Sequence, residues 1–177
     1  MDQGDDGIER VLADLEQQAH GLHLRERDED VAALLPAEHA RVDLEARLHA
    51  AVGRRLTVRH RGGGRVDGVL DQVGRGWFSL GVGSRSWLLL TPSVLTVAGL
   101  GERALVEEAR PVSARLGPAA PLRDLAERRI PCLLLLRDGT RLEGRLTRVG
   151  ADFVDAEVAG TTEAVPFEAL AAVVATR

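Results

Sequence analysis

A stretch of about 50 residues occurs twice in this chain, and a duplication of that length constrains its fold more than any other feature. Val58-Arg59-His60-Arg61-Gly62-Gly63-Gly64-Arg65-Val66-Asp67-Gly68-Val69-Leu70 recurs as Leu134-Leu135-Leu136-Arg137-Asp138-Gly139-Thr140-Arg141-Leu142-Glu143-Gly144-Arg145-Leu146, at a constant offset of 76 residues and without a gap. Arg61/Arg137, Gly63/Gly139, Arg65/Arg141, Gly68/Gly144, Leu70/Leu146, Val73/Val149, Gly74/Gly150, Val82/Val158 and Val97/Val173 are identical pairs. A unit repeated in this way folds as a unit, so two copies of one small structure are predicted.

The pattern inside each copy is β. After Gly53 the apolar period is two: Leu56, Val58 and His60 share one face of a strand, and Arg55, Thr57, Arg59 and Arg61 share the other. That alternation marks a half-exposed strand. Gly62-Gly63-Gly64 reads as a turn and Arg65 to Val73 as a second strand, with Gly68 where the strand bends or is closely approached. Trp77 to Val82, Ser86 to Leu90 and Val94 to Ala98 read as three more, with Pro92 breaking the chain before the last. A helix from an Asp43 N-cap to Val52, closed by Gly53, leads the first copy. Leu122 to Arg128 leads the second, whose Asp138-Gly139 is a strong hairpin signal. The opening strand of the second copy differs from its counterpart, because Leu133 and Leu135 stand where the first copy has Thr57 and Arg59. It is predicted to be buried on both faces, covered by the other copy, by N-terminal helices or by another subunit.

The remaining segments frame these copies. Ile8, Leu12, Leu15, Ala19 and Leu22 are spaced as on one face of a helix, which predicts a helical arm over residues 1–42, interrupted at Pro36. Residues 101–120, with Pro111, Gly117 and Pro118, read as a linker that is helical from Glu102 to Ala109. The predicted class is therefore α+β, mainly β: the arm, a helix plus five strands over 43–100, the linker, and a second helix plus five strands over 121–177.

The alphabet is narrow. The chain has no Lys, Asn or Tyr, and all 23 basic residues are Arg, a bias of GC-rich coding. The absence of Lys excludes a Walker phosphate loop and any Schiff-base chemistry. Cys132 is the single cysteine and sits in an apolar run, which excludes an intrachain disulfide and reads as a buried small side chain. An acidic start, Met1-Asp2-Gln3-Gly4-Asp5-Asp6, does not resemble a signal peptide, and the longest apolar runs are too short to cross a bilayer. A cytoplasmic location without membrane contact is expected. The net charge of −4 conceals an asymmetry. Residues 1–52 hold 13 acidic and 5 basic side chains, whereas 53–101 hold 2 and 7. The first copy is thus the basic part of the molecule.

Leu134-x-Leu136-Arg137-Asp138-Gly139-Thr140-Arg141-Leu142-Glu143-Gly144-Arg145-Leu146 resembles the first motif of Sm-like small barrels, and Val165-Pro166-Phe167-Glu168-Ala169-Leu170-Ala171-Ala172-Val173 resembles their corner between strands four and five. The layout as a whole is also similar to a family of uncharacterised actinobacterial proteins. The Sm resemblance implies two tandem five-stranded barrels. It also implies assembly through strand edges, so a homodimer is among the expected forms. In such barrels single-stranded RNA is held by an Asp…Met-Asn stretch and an Arg-Gly pair. At the matching positions stand Gly74, Trp77 and Phe78, and Gly150, Phe153 and Val154, while Ala98-Gly99 lacks the Arg. The barrel motif is therefore present and the ring-type RNA residues are not.

The candidate contact residues are Arg55, Arg59, Arg61, Arg65, Arg75, Arg85 and Trp87, with Arg54, Trp77 and Phe78 nearby. Arginines bind phosphates or carboxylates, and exposed aromatics stack on bases or anchor interfaces. Trp87 is matched by Glu163 in the other copy, a pairing that suggests an exposed position. The acidic arm could lie across the basic strip. His20 and His23, with Glu16 and Glu26, are a weak metal pattern. Asp67 and Glu143 recur before the bending glycine, with no acid/base partner in the pattern. No nucleophile elbow or phosphate cradle is present. The function expected is a non-catalytic binding or adaptor protein that needs no cofactor, has a protein partner, and makes contact through the first copy. The alternative is an RNA- or DNA-binding regulator using the same arginines.

Overall fold

The computed structural model describes residues 42–176. The predicted helical arm, its histidine pair and its contact with the basic strip lie outside the described residues. From Asp43 onward the chain forms one compact unit. Its elements are α1 (Leu44–Ala50), β1 (Arg55–His60), β2 (Gly64–Gly74), β3 (Trp77–Val82), β4 (Arg85–Leu90), β5 (Val94–Ala98), α2 (Ala119–Glu127), β6 (Pro131–Leu136), β7 (Arg141–Val149), β8 (Phe153–Val158), β9 (Thr161–Pro166) and β10 (Leu170–Thr176).

The expectation of two helix-plus-five-strand barrels is overturned. The ten strands form one open antiparallel sheet in the order β5-β1-β2-β3-β4-β10-β6-β7-β8-β9, with two short α-helices among the described residues. Each copy contributes five strands in the same relative order, yet neither set closes on itself. Instead β4 of the first copy pairs with β10 of the second, Leu88 opposite Val173 and Leu89 opposite Ala172. The fused edge leaves β5 and β9 as the two borders.

Alternation along the central strands explains why one sheet needs two cores. On β4, Leu89 joins one cluster with Leu56, Val58, Phe78 and Leu80, while Leu88 and Leu90 join a second cluster with Leu134, Leu146, Val154 and Val165. On β10, Ala172 and Val174 face the first cluster and Val173 and Ala175 the second. Successive side chains of a strand point to opposite faces, so the first copy covers one face of the central strands and the second copy the other. Leu133 and Leu135 of β6 therefore pack against the first cluster, and of the covers considered for that strand it is the other copy that supplies it.

Local signals hold with small shifts. The Asp43 carboxylate caps α1 by accepting from the Ala46 amide, and Gly53 follows with φ +84°. Between β5 and α2 the backbone makes two 3-10 turns, Glu107–Ala109 and Val112–Arg115, not the helix expected from Glu102. Gly68 and Gly144 are required by close approach. An added Cβ would lie 2.8 Å from the Gly81 carbonyl oxygen in one copy and 2.1 Å from that of Glu157 in the other.

Candidate contact face

The sequence-predicted arginines separate into distinct places. Arg55 and Arg59 lie on the outer face of β1, and register places Arg59 directly between Arg65 of β2 and Thr96 of β5. Thr57 lies between Asp67 and Ala98 in the next row. Arg61 follows in the turn, its backbone amide bonded to the Ser93 carbonyl at 2.8 Å. All four arginines are exposed. Like charges directly opposite on a sheet are destabilising by a few tenths to about 1 kcal/mol, so the Arg59–Arg65 pair contributes nothing favourable to the fold.

Asp67 partly neutralises this face. Arg65 forks onto it, with Nε to Oδ2 and Nη2 to Oδ1 both at 3.2 Å, and the Thr57 hydroxyl donates to Oδ1. The Thr57 and Arg65 hydrogen bonds hold the Asp67 carboxyl below the usual carboxylate range. Arg55, Arg59 and Arg61 make no side-chain hydrogen bond or ion pair among the described residues.

Arg75 stands in the β2–β3 turn, at the other end of the eleven-residue β2 from the β1–β2 turn. Arg85 opens β4 and lines a cleft of about 560 Å³ with Arg145, Glu143 and Glu157, a mixed-charge setting. Neither belongs with the Arg55–Arg65 cluster.

The aromatic residues turn away from it. Trp77 and Phe78 are buried, at 4% and 0% exposure. Trp87 is half-buried against the first core, its ring centroid 6.0 Å from that of His60. It therefore offers packing to the interior rather than an open contact. Trp77 folds back over Gly74 and donates its indole N–H to the Leu116 carbonyl at 2.8 Å. The Phe153 ring likewise lies over Gly150, where an added Cβ would run into it. Glycine stands at both positions because the ring needs the space.

A second cationic cleft was not legible in the sequence. Arg47 of α1, Arg54 and Arg103 line a pocket of about 450 Å³ beyond the end of β5, where Arg47 donates to the Gly101 carbonyl at 2.9 and 3.2 Å. Arg47 and Arg103 lie outside the strands of the repeat, and only the packing of α1 beside the chain after β5 unites them with Arg54.

Other candidate chemistry recedes. Cys132 is buried at 6% exposure, and burial pushes its thiol up. No group of three His, Cys, Asp or Glu able to hold a metal occurs among the described residues, and no described helix is long and apolar enough to cross a membrane. No protein-family model matches the chain, and a search of curated proteins finds no match.

Proposed function

We propose that this chain is a non-catalytic cytoplasmic binding protein whose contact face is the outer surface of β5, β1 and β2, and whose partner is a protein presenting acidic side chains. The observation that carries this reading is the Arg59–Arg65 cross-strand pair, flanked by Arg55 and Arg61, with Arg55, Arg59 and Arg61 making no side-chain hydrogen bond or ion pair among the described residues. Arg65 is already partnered by Asp67, but the exposed Arg59 and Arg61 have no such partner among the described residues and gain free energy from an incoming anion. Arg85, Arg75 and Trp87 fall outside this face.

Nucleic acid is the second reading, favoured by the same unpaired guanidinium groups. The inward placement of Trp77, Phe78 and Trp87 weighs against it, since no aromatic platform stands beside the arginines for bases to stack on. Anisotropy titrations with a fluorescent polyglutamate peptide, single-stranded RNA, single-stranded DNA and duplex DNA at low and moderate salt separate the two. The expected outcome is peptide binding that weakens about tenfold or more in Arg59→Glu/Arg65→Glu. Tighter binding of a nucleic acid, lost steeply with salt and in the same variant, would replace the first reading with the second.

A further inference from the structure

We propose that the free edge of β5 takes up an extended acidic segment of the partner as an additional strand. This rests on the arginine-face reading above and specifies how the partner docks. Among the described residues β5 pairs on one side only, with β1, and so presents backbone donors and acceptors along its other edge, with a bulge at Leu95. Edges of this kind receive peptides by strand addition, with main-chain bonds supplying affinity and alternate side chains supplying choice.

Both faces of the edge define the incoming chemistry. On the outer face β5 shows Thr96 and Ala98, both short and exposed, and beside them the bulged Leu95 is exposed at 56%. Behind Thr96 stands Arg59, and behind that Arg65. With strands about 4.8 Å apart, an Arg59 guanidinium reaching over Thr96 meets a glutamate reaching inward from the added strand. Farther along, Arg54 and Arg103 line the cleft past the end of β5. On the inner face Val94 and Val97 are only partly buried at the margin of the first core. Apolar side chains alternating with the acidic ones would cover them. The occupant is thus an extended segment with acidic residues on one face and β-branched apolar residues on the other.

The opposite border is a poorer site for such a segment. β9 carries exposed Glu163, while on β8 beside it Asp155 is ion-paired with Arg148 at 3.1 Å and Glu157 stands opposite Arg145, so this border does not offer an acidic strand the arginine excess of β1 and β2. A second copy of the chain is also a poor occupant of β5. Where β10 and β6 are covered by the first copy, they present Ala172, Val174, Leu133 and Leu135. The equivalent positions on β5 and β1 are Thr96, Ala98, Thr57 and Arg59, and covering them the same way would bury an unpaired guanidinium.

The test uses the full-length protein, labelled with ¹⁵N, and a capped heptapeptide in which glutamate alternates with valine. A version N-methylated at alternate backbone nitrogens keeps the charge and removes strand donors. The expected result is that Val94–Ala98 amides shift and gain exchange protection, that the methylated peptide binds about tenfold or more weakly, and that Arg59→Gln weakens the parent peptide at least about fivefold. Equal binding of both peptides, lost in Arg59→Gln with β5 amides unmoved, would overturn strand addition while leaving the arginine face standing. No binding of either peptide would overturn both. Tighter binding of an oligouridylate with β5 unmoved would overturn it in favour of nucleic acid. Concentration-dependent shifts of β5 amides without peptide would overturn it in favour of self-association.

Discussion

His60 ends β1 beneath the Gly62-Gly63-Gly64 turn at 2% exposure, and neither ring nitrogen has a hydrogen-bond partner among the described residues. A Cβ at Gly64 would sit 2.8 Å from Nε2 and one at Gly62 3.0 Å from Nδ1, so the turn is packed directly on the imidazole. Burial lowers the His60 pKa below its ordinary value. The folded state then holds the neutral ring, and the unfolded chain binds the proton first. Stability is full above about pH 6.5, falls as pH drops below that value, and levels off once the folded-state pKa is passed. His49 is shifted the same way, by burial and then by Arg110, and adds to the slope. Replacing His60 by Leu removes two unpartnered polar atoms, each costing about 1–3 kcal/mol when buried. We expect His60→Leu to melt no lower than the parent at pH 7.5 and distinctly higher at pH 5. A variant that keeps the parent's full loss between those pH values would show that His60 is not the group responsible. Gly64→Ala should be destabilising at both pH values, because its methyl group meets the ring.

At the scale of elements, α1 is seven residues long, too short to hold itself together without capping and packing. Asp43 supplies the cap, and its carboxylate also meets Arg110 with both oxygens at 3.3 Å. Glu45 reaches from the first turn to the Gly76 amide at 2.7 Å and ties the helix to the β2–β3 turn. The two roles of Asp43 separate by substitution. Asp43→Ala loses cap and ion pair and is expected to cost about 0.5–2 kcal/mol in urea unfolding. Asp43→Asn keeps a capping oxygen and loses only an ion pair whose carboxylate is exposed, so it should fall within about 1 kcal/mol of the parent. Equal losses in the two variants would assign the contribution to the ion pair instead.

Across the whole molecule, the shared central strands make the two cores interdependent. β4, β10 and β6 each place residues in both clusters, so neither half buries its apolar surface without the other. The tryptophans report on the two cores separately: Trp77 belongs to the second cluster and Trp87 packs against the first. In Trp77→Phe and in Trp87→Phe, the fluorescence midpoint in urea should coincide with the circular-dichroism midpoint of the same variant, as one cooperative transition requires. Separated midpoints would show that the halves unfold independently. Leu135→Ala, at the meeting of β6 with the first core, should cost about 2–5 kcal/mol and shift both reporters together.

Legible along the chain were the strand positions to within a residue or so, the Asp43 cap, the close approaches at Gly68 and Gly144, and the double burial of β6. Each is a local pattern of period, turn or spacing, and such patterns are written along the chain. That β4 joins β10 emerges only in the packed molecule. That pairing turns ten strands into one open sheet rather than two closed sets, and backbone hydrogen bonds between distant strands carry no residue code. The same holds for the contact face. The sequence grouped six arginines and Trp87 as contact residues, but folding brings Arg55, Arg59, Arg61 and Arg65 together, sends Arg75 and Arg85 elsewhere and packs Trp87 against the first core. Side-chain alternation was legible; which face the rest of the molecule would cover was not, because that depends on where the second copy packs.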